Sequence, residues 1–430
     1  MPRIALIVQR YGSEINGGAE LHARQWAGAL RAHFEVDVLT SCALDYHAWD
    51  RHFAPGESVL DGCRVIRFEH PPHRKVRMPL RHKLRYLLRR ALAAVGMPPV
   101  AQPNGRSGYD GIDYLRGKGP TMDGLMDYLQ TQGPAYSALI FFSAFFHPAA
   151  LGVLIHPGRS LLVPTLHDEK GMYLPHYHRV FRAPRAILYN TPAEQAVAQA
   201  LYGQDLAPAR LCGVGITPRP PADPGDAAAA AARFAALAAR LGLPPDAPYL
   251  LYVGRVDRSK GCAELFEQFA VLRRQHPVPL KLVVCGQWFM PVPTHPDIVR
   301  TGFVSDADRD GLLVRAAALV VPSRYESLSM VLLEGLAAGC PVLVNRDAAV
   351  LRDHVQASGA GQTYAGEDEF VKAALRLLAM DPASRAEGAD RGRRYVASHY
   401  SWDRIVARIR EAIDTCDAPR PTVAPSTSAA

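Results

Sequence analysis

The sequence predicts an α/β protein built from two parallel-sheet domains in tandem, and three observations carry that prediction. Short apolar runs such as Ile4–Val8 and Tyr249–Val253 suit strands buried on both faces. Each run leads through a glycine-bearing loop into a stretch with apolar residues at helical spacing, the signature of a strand–loop–helix–strand unit. The rhythm stops at 218–226, where four prolines in nine residues read as an interdomain linker, and then restarts. A length of 430 residues fits two to three domains at about 150 residues each.

Taken in order, Ile4–Val8 is the first strand, Gln9–Gly18 a polar loop, Ala19–Ala32 a helix and Val36–Thr40 the next strand. Further strands are expected at Ala138–Phe142, Leu161–Leu166 and Ala186–Tyr189. Between Pro71 and Pro120 the pattern breaks into an insertion. Pro71–Arg90 holds eight Lys/Arg and no acid, within which Leu80–Val95 reads as a basic amphipathic helix, and Pro98–Lys118 as a loop. After the linker come a helix at Ala227–Leu241, strands at Tyr249–Val253, Lys281–Cys285, Ala318–Pro322 and Pro341–Asn345, and helices from Ala263, at Ser329–Ala338 and at Trp402–Asp414. The domains are therefore 1–217, carrying the insertion at about 71–120, and 218–400. A C-terminal helix at 401–415 is expected to pack back on the first domain, before a disordered tail at 418–430.

Composition limits the function. With 48% hydrophobic and 21% charged residues the chain can build sizeable cores and is not a disordered protein. No apolar run reaches the 18 or so residues of a membrane span. The segment after Met1 is too short and too unlike a cleavage region for a signal peptide. Seven scattered cysteines without a CxxC pair suggest reduced thiols, and the expected location is cytoplasmic. The net charge of +8 equals the excess carried by 71–90 alone, so the basicity belongs to one patch. That patch suits an anionic membrane surface at 71–95, with the protein peripheral at the inner face, and gives no support for nucleic acid as a partner.

The chemistry concentrates at two segments. In 320–334, a strand ends near Pro322, a loop carries Glu326, and a helix opens near Ser329 with Glu334 expected two turns inside it. The amides of Leu328, Ser329 and Met330 would then lie at a helix N-terminus, which favours a phosphate. Two carboxylates at the C-terminal edge of a parallel sheet suit a polyol, since each accepts hydroxyl hydrogens; one would meet a sugar and the other a ribose. A structural alternative has Glu326 capping the helix and Glu334 solvated. The second segment, Gly254-Arg-Val-Asp-Arg-Ser-Lys-Gly261, leaves a strand and opens a helix, so that Arg255 and Lys260 can bracket a diphosphate. It is not a Walker A loop. In the first domain, Gly17-Gly18 precedes a helix without forming GxGxxG, and permits close backbone approach. His167-Asp168-Glu169 follows a buried strand.

These residues resemble the retaining GT-B glycosyltransferases of family four, the glycosyl transferases group 1. Glu326 to Glu334 resembles their E-x7-E motif, Gly254-Arg255…Lys260-Gly261 their G-R…K-G segment, and Gly17-Gly18-Ala19-Glu20 their N-terminal glycine loop. His167-Asp168 resembles the histidine placed near the donor sugar. The likeness extends from Arg3 to about Asp414, and is more specific in the second domain. Ser327-Leu328-Ser329 stands where many members have Ser-Phe-Gly.

The resemblance implies two Rossmann-like domains facing across a cleft and a nucleotide-sugar donor held by the second. Arg255 and Lys260 would hold the diphosphate with the amides of Leu328 to Met330. Glu334 would bind the ribose, and Glu326 and His167 the sugar. Phe303 and Val304 resemble the loop that packs on the base. The reaction implied is metal-independent hexosyl transfer with retention, to a glycan or lipid-linked saccharide in cell-surface polysaccharide synthesis. No cofactor is implied, and the Asp-x-Asp pairs Asp306/Asp308 and Asp308/Asp310 lie away from the site. GDP-mannose is the donor chosen, with UDP- and dTDP-sugars open. The competing readings are a GT-B nucleotide-sugar epimerase and a membrane-surface or nucleic-acid binding protein using the basic 71–90 patch.

Overall fold

The computed structural model describes residues 1–430 except 16, 46–47, 72–79, 95–110, 218–226, 245, 278 and 418–430. The linker and the tail expected from the sequence lie outside the described residues. By contact the chain divides into two compact units: Met1–Val214 with the segment from Ile405 onward, and Gly215–Arg404.

The first unit holds an eight-stranded sheet of β1 (Arg3–Ile7), β2 (Glu35–Ser41), β3 (Gly56–Leu60), β4 (Cys63–Phe68), β5 (Ala138–Phe142), β6 (Ser160–Val163), β7 (Ala186–Tyr189) and β8 (Ala209–Leu211). Their order is β3-β4-β2-β1-β5-β6-β7-β8. Every neighbouring pair is parallel except the hairpin β3–β4. From β1 the chain builds outward on one side through β2, then crosses to β5 on the other, so the order reverses between β1 and β5. Ile4–Ile7 and Ala138–Phe142 are fully buried, which is why both are unbroken apolar runs.

The hairpin is an addition to the sequence reading. Its two-residue turn, Asp61-Gly62, has φ of 50° and 73°, the two left-handed positions that a tight hairpin demands and that Asp-Gly supplies. The insertion also differs from expectation. The basic helix is present at Leu80–Ala94, but part of the expected loop is a second helix, Ile112–Lys118. Tyr114 and Leu115, three and four residues after Gly111, are buried in the unit's core, and that burial stabilises a turn of helix that loop composition had concealed.

The second unit holds a six-stranded parallel sheet of β9 (Tyr249–Val253), β10 (Lys281–Cys285), β11 (Ile298–Gly302), β12 (Ala318–Val321), β13 (Val342–Asn345) and β14 (Gly361–Tyr364). The order is β11-β10-β9-β12-β13-β14. Here too the chain runs outward through β10 and β11, then returns to lay β12 against β9. Helices follow the strands, among them Cys262–Gln275, Asp306–Arg315, Met330–Ala337, Ala349–Ser358 and Pro382–His399. The helix Trp402–Asp414 buries Ile405, Ile409, Ala412 and Ile413 along one stripe. All seven cysteines are buried and none forms a disulfide. Among the described residues, no helix is long and apolar enough to cross a membrane.

Candidate functional site

In an open α/β sheet the crevice for a ligand lies outside the carboxyl ends of the strands where the order reverses. In the second unit that point is the pair β9/β12, and both chemical segments leave from it. β9 delivers Gly254–Gly261, and β12 delivers Pro322–Ser329. The three loops at this edge nearly touch. A Cβ on Gly261 (φ 76°) would sit 2.5 Å from the Pro322 carbonyl oxygen, and one on Gly286 (φ 132°) 1.9 Å from that of Gly254. Only glycine serves at either position, for space as well as for backbone angle.

The Gly254–Gly261 loop is organised by Asp257, a residue the sequence reading passed over. Its Oδ1 accepts from the Lys260 amide at 2.9 Å and the Ser259 hydroxyl at 2.6 Å, and its Oδ2 accepts from Arg255 Nε at 2.7 Å. Burial opposes its charge, but the Ser259 hydrogen bond, the Arg255 guanidinium and the Lys260 amide together hold its carboxyl below the usual value. An Asp three residues ahead of the amide it caps is a recognisable signal. The Tyr252 hydroxyl donates to the Arg255 carbonyl at 2.6 Å, tying the loop to β9.

Lys260 reaches across to the neighbouring strand's loop, where its Nζ donates to Glu326 Oε1 at 2.8 Å. Arg255 and Lys260 therefore address different carboxylates: Arg255 meets Asp257 and Lys260 meets Glu326. Glu326 thus accepts from a cation 66 residues earlier in the chain. The following helix is Met330–Ala337, starting one residue later than expected, with Ser329 at its N-cap. Glu334 is its fifth residue, one turn inside rather than two. It is half-buried, with Arg309 Nη2 at 3.8 Å from its Oε1. Arg309 comes from the helix Asp306–Arg315, a partner no local pattern reveals. Of the nearby aspartates, Asp308 is paired with Arg240 and Asp306 with Arg309. Phe303, directly after β11, is 70% exposed, and Val304 beside it is half-buried.

The expected residues of the first unit fall at the same kind of edge. Gly17 and Gly18 open the helix Gly18–Leu30 after β1. A Cβ on Gly17 would lie 2.0 Å from Glu20 Oε2 and 2.9 Å from Arg10 Nη2, whereas one on Gly18 meets nothing within 4 Å. Gly17 is therefore explained by the buried Arg10–Glu20 pair beside it. His167 follows β6 after Leu166, whose amide donates to Glu194 Oε1 at 2.6 Å. Burial pushes Glu194 up to about 8, against the two amides of Asn190 and Leu166 that favour its charge. Asp168 accepts from the Tyr173 hydroxyl at 2.6 Å.

Known proteins resemble this chain in the sequence of its second unit and in its fold. Residues 247–380 match the family described as glycosyl transferases group 1. A glycogen synthase of Mycobacterium tuberculosis is 33% identical over 169 residues, covering 36% of this chain and 40% of that protein. A D-inositol 3-phosphate glycosyltransferase of Kineococcus radiotolerans is 37% identical over 253 residues, covering 52% and 55%. The chain thus spans about half the length of these relatives or less. Among solved structures, the sucrose-phosphate synthase of Thermosynechococcus elongatus aligns with a TM-score of 0.63 at 20% identity, covering 96% of this chain and 98% of that one. Anabaena HepE in complex with UDP and glucose aligns with a TM-score of 0.62 at 16% identity, covering 96% and 100%. Residues 247–380 of the second unit thus match the glycosyl transferases group 1 family, and the two sheet-bearing units have the α/β fold of the GT-B glycosyltransferases they align with.

Proposed function

We propose that the protein is a retaining, metal-independent hexosyltransferase that uses a nucleoside diphosphate-sugar donor and a glycan or lipid-linked saccharide acceptor. The observation that carries this reading is the convergence of Arg255, Lys260, Glu326 and the Ser329 helix N-terminus on the carboxyl ends of β9 and β12. A diphosphate there would accept hydrogen bonds from Arg255, Lys260 and the first-turn amides. Glu334 would accept from the ribose hydroxyls, Glu326 would accept from the sugar hydroxyls, and Phe303 and Val304 would pack on the base. In the reaction the bond from C1 of the sugar to the diphosphate breaks, and the acceptor oxygen bonds C1 on the same face. The acceptor proton passes to the departing diphosphate, whose growing charge Arg255 and Lys260 stabilise.

The donor is set between GDP-mannose, favoured from the sequence, and UDP-glucose, the ligand of a HepE structure. A thermal-shift screen of GDP-mannose, UDP-glucose and dTDP-glucose separates them, since a ligand that binds only the folded state raises its melting temperature. Binding followed by nucleotide release that depends on an added saccharide supports the transferase. Donor isomerisation without acceptor would replace it with an epimerase, and no shift with any donor would sink the site.

A second reading concerns location. The helix Leu80–Ala94 buries His82 against the first unit and stacks Tyr86 edge-on to Tyr173, with centroids 5.2 Å apart. Leu80, Leu84, Leu87 and Leu88, at i, i+4, i+7 and i+8, are all at least half exposed. An exposed leucine stripe on a helix with basic residues and no acid suits the boundary of an anionic bilayer. We place the protein peripherally at the inner membrane face. Sedimentation with phosphatidylglycerol vesicles, lost in Leu84→Asp and absent with phosphatidylcholine, is the expected result.

A further inference from the structure

The loop between Glu326 and the helix Met330–Ala337 contains a backbone conformation that needs a cause. Ser329 has φ 66° and ψ 74°, a left-handed conformation that a residue with a Cβ rarely adopts unless its surroundings impose it. Ser329 is 6% exposed, and its hydroxyl is buried without a hydrogen-bond partner among the described residues. On its C-terminal side the cause is the helix, since the Ser329 carbonyl accepts from the Leu332 and Leu333 amides at 3.1 and 3.3 Å.

On its N-terminal side the cause is His354, from the helix Ala349–Ser358. Its Nε2 lies 2.9 Å from the Leu328 carbonyl oxygen, and its Nδ1 lies 2.8 Å from the Tyr395 hydroxyl. A carbonyl only accepts, so Nε2 must carry the proton. Nδ1 then accepts from Tyr395, which fixes both the tautomer and the ring plane. The rings of Tyr395 and Tyr400 pack edge-on against His354 at 5.9 and 5.8 Å. Burial lowers the pKa of His354 to about 4, which keeps the ring neutral and compatible with this arrangement. In a trans peptide the carbonyl and the following N–H point in opposite directions. Anchoring the Leu328 carbonyl on His354 therefore turns the Ser329 amide away from His354.

We propose that His354 is a positioning residue for phosphate binding: through the Leu328 carbonyl it aims the Ser329 amide, and with it the unpartnered Ser329 hydroxyl, at the donor diphosphate. The assignment rests on the donor reading given above. His354 itself touches no substrate. Tyr395 acts one step further back, by holding the imidazole tautomer. The hydroxyl of Ser329 adds a donor to the amides of the first turn.

The test compares the wild-type chain with His354→Leu, His354→Gln and Tyr395→Phe. The probes are UDP and GDP, measured by titration calorimetry, and inorganic pyrophosphate as a competitor. Pyrophosphate has no base and no ribose, so an effect at the phosphates must appear with it as well. His354→Leu is expected to weaken both the nucleoside diphosphate and pyrophosphate by about tenfold, the worth of about one charge-assisted hydrogen bond. His354→Gln, whose side-chain amide can occupy the place of Nε2–H, is expected to retain affinity within about threefold, and Tyr395→Phe to lie between. Rescue by glutamine separates positioning from general damage to the unit. If the leucine variant does not fold, Tyr395→Phe, which loses one oxygen and keeps the ring packing, reads the same pair of affinities. Unchanged pyrophosphate affinity in the folded variants overturns the assignment. A wild-type protein that binds neither UDP nor GDP overturns the donor reading itself, a distinct result visible before any variant is made.

Discussion

At the end of β1 the chain turns through Gly17 into a helix, and Arg10 meets Glu20 with 8% and 6% of the two side chains exposed. At the end of β9 it turns through Gly261 into a helix, and Lys260 meets Glu326 with 32% and 13% exposed. Both places are switch points of a parallel sheet, and both hold a cation–carboxylate pair beside a glycine turn. The first is closed: Arg10 Nε and Gln9 Nε2 both donate to Glu20 Oε1, at 2.9 and 3.0 Å, and Arg10 Nη1 donates to the Leu44 carbonyl at 2.8 Å. The second is open, and its cation has donors left for a ligand. One topology thus yields a structural ion pair in one unit and a candidate binding pair in the other, and the difference lies in how many donors the protein itself consumes.

Substitutions on the two pairs should separate them. The largest effect is expected for Lys260→Ala in the open pair, and for Glu334→Ala in the helix that follows Glu326; each should reduce transfer by about 10² to 10³ in kcat/KM while melting within a few degrees of wild type. Near-normal turnover in both would make the second pair structural as well. Arg10→Met should do the reverse. It strands Glu20 in the interior and should cost about 3–5 kcal/mol in urea unfolding, the range for a buried pair broken on one side. A loss below about 1 kcal/mol would show that the first pair is no more committed than a surface one.

The glycines sharpen the contrast at smaller scale. Gly17→Ala should lose about 1–3 kcal/mol because its Cβ falls on Glu20. Gly18→Ala, in open space at the first helical position, should change stability by less than about 1 kcal/mol in either direction. Combining Gly17→Ala with Glu20→Ala should give a total well short of additive if the clash is the cause.

Stability should also depend on pH. His22, His147 and His354 are buried and each is lowered by burial to about 4. The unfolded chain takes up these protons near the ordinary value of about 6.5, so stability should fall as pH drops from there to about 4. Melting curves across that interval check the sign. His354→Gln should flatten the slope by one proton's share.

Strand positions were largely legible, because a strand buried on both faces must be an apolar run. Ala138–Phe142, Ala186–Tyr189, Tyr249–Val253 and Lys281–Cys285 coincide with the expected boundaries. The hairpin β3–β4 carried its own signal in Asp61-Gly62, but its exposed strand Gly56–Leu60 lacks the apolar pattern that marks the others. The helix Ile112–Lys118 was hidden because seven residues are too few to show a period, and packing of Tyr114 and Leu115 stabilises it. At the site, the residue types and their spacing within each segment were readable. Their distant partners were not: Arg309 for Glu334 and His354 for Leu328.

The sequence by itself determined two α/β units, a glycine-flanked pair of cations after one strand, and two carboxylates eight residues apart after another. Periodicity and turn chemistry act over a few residues, and they suffice for that much. Only the tertiary structure decided that Lys260 and Glu326, 66 residues apart, share a hydrogen bond. The reason is the crossover that lays β12 beside β9 while β10 and β11 go to the other side. Strand order is set by how whole helices and strands bury their apolar faces together, and no local window of sequence contains it.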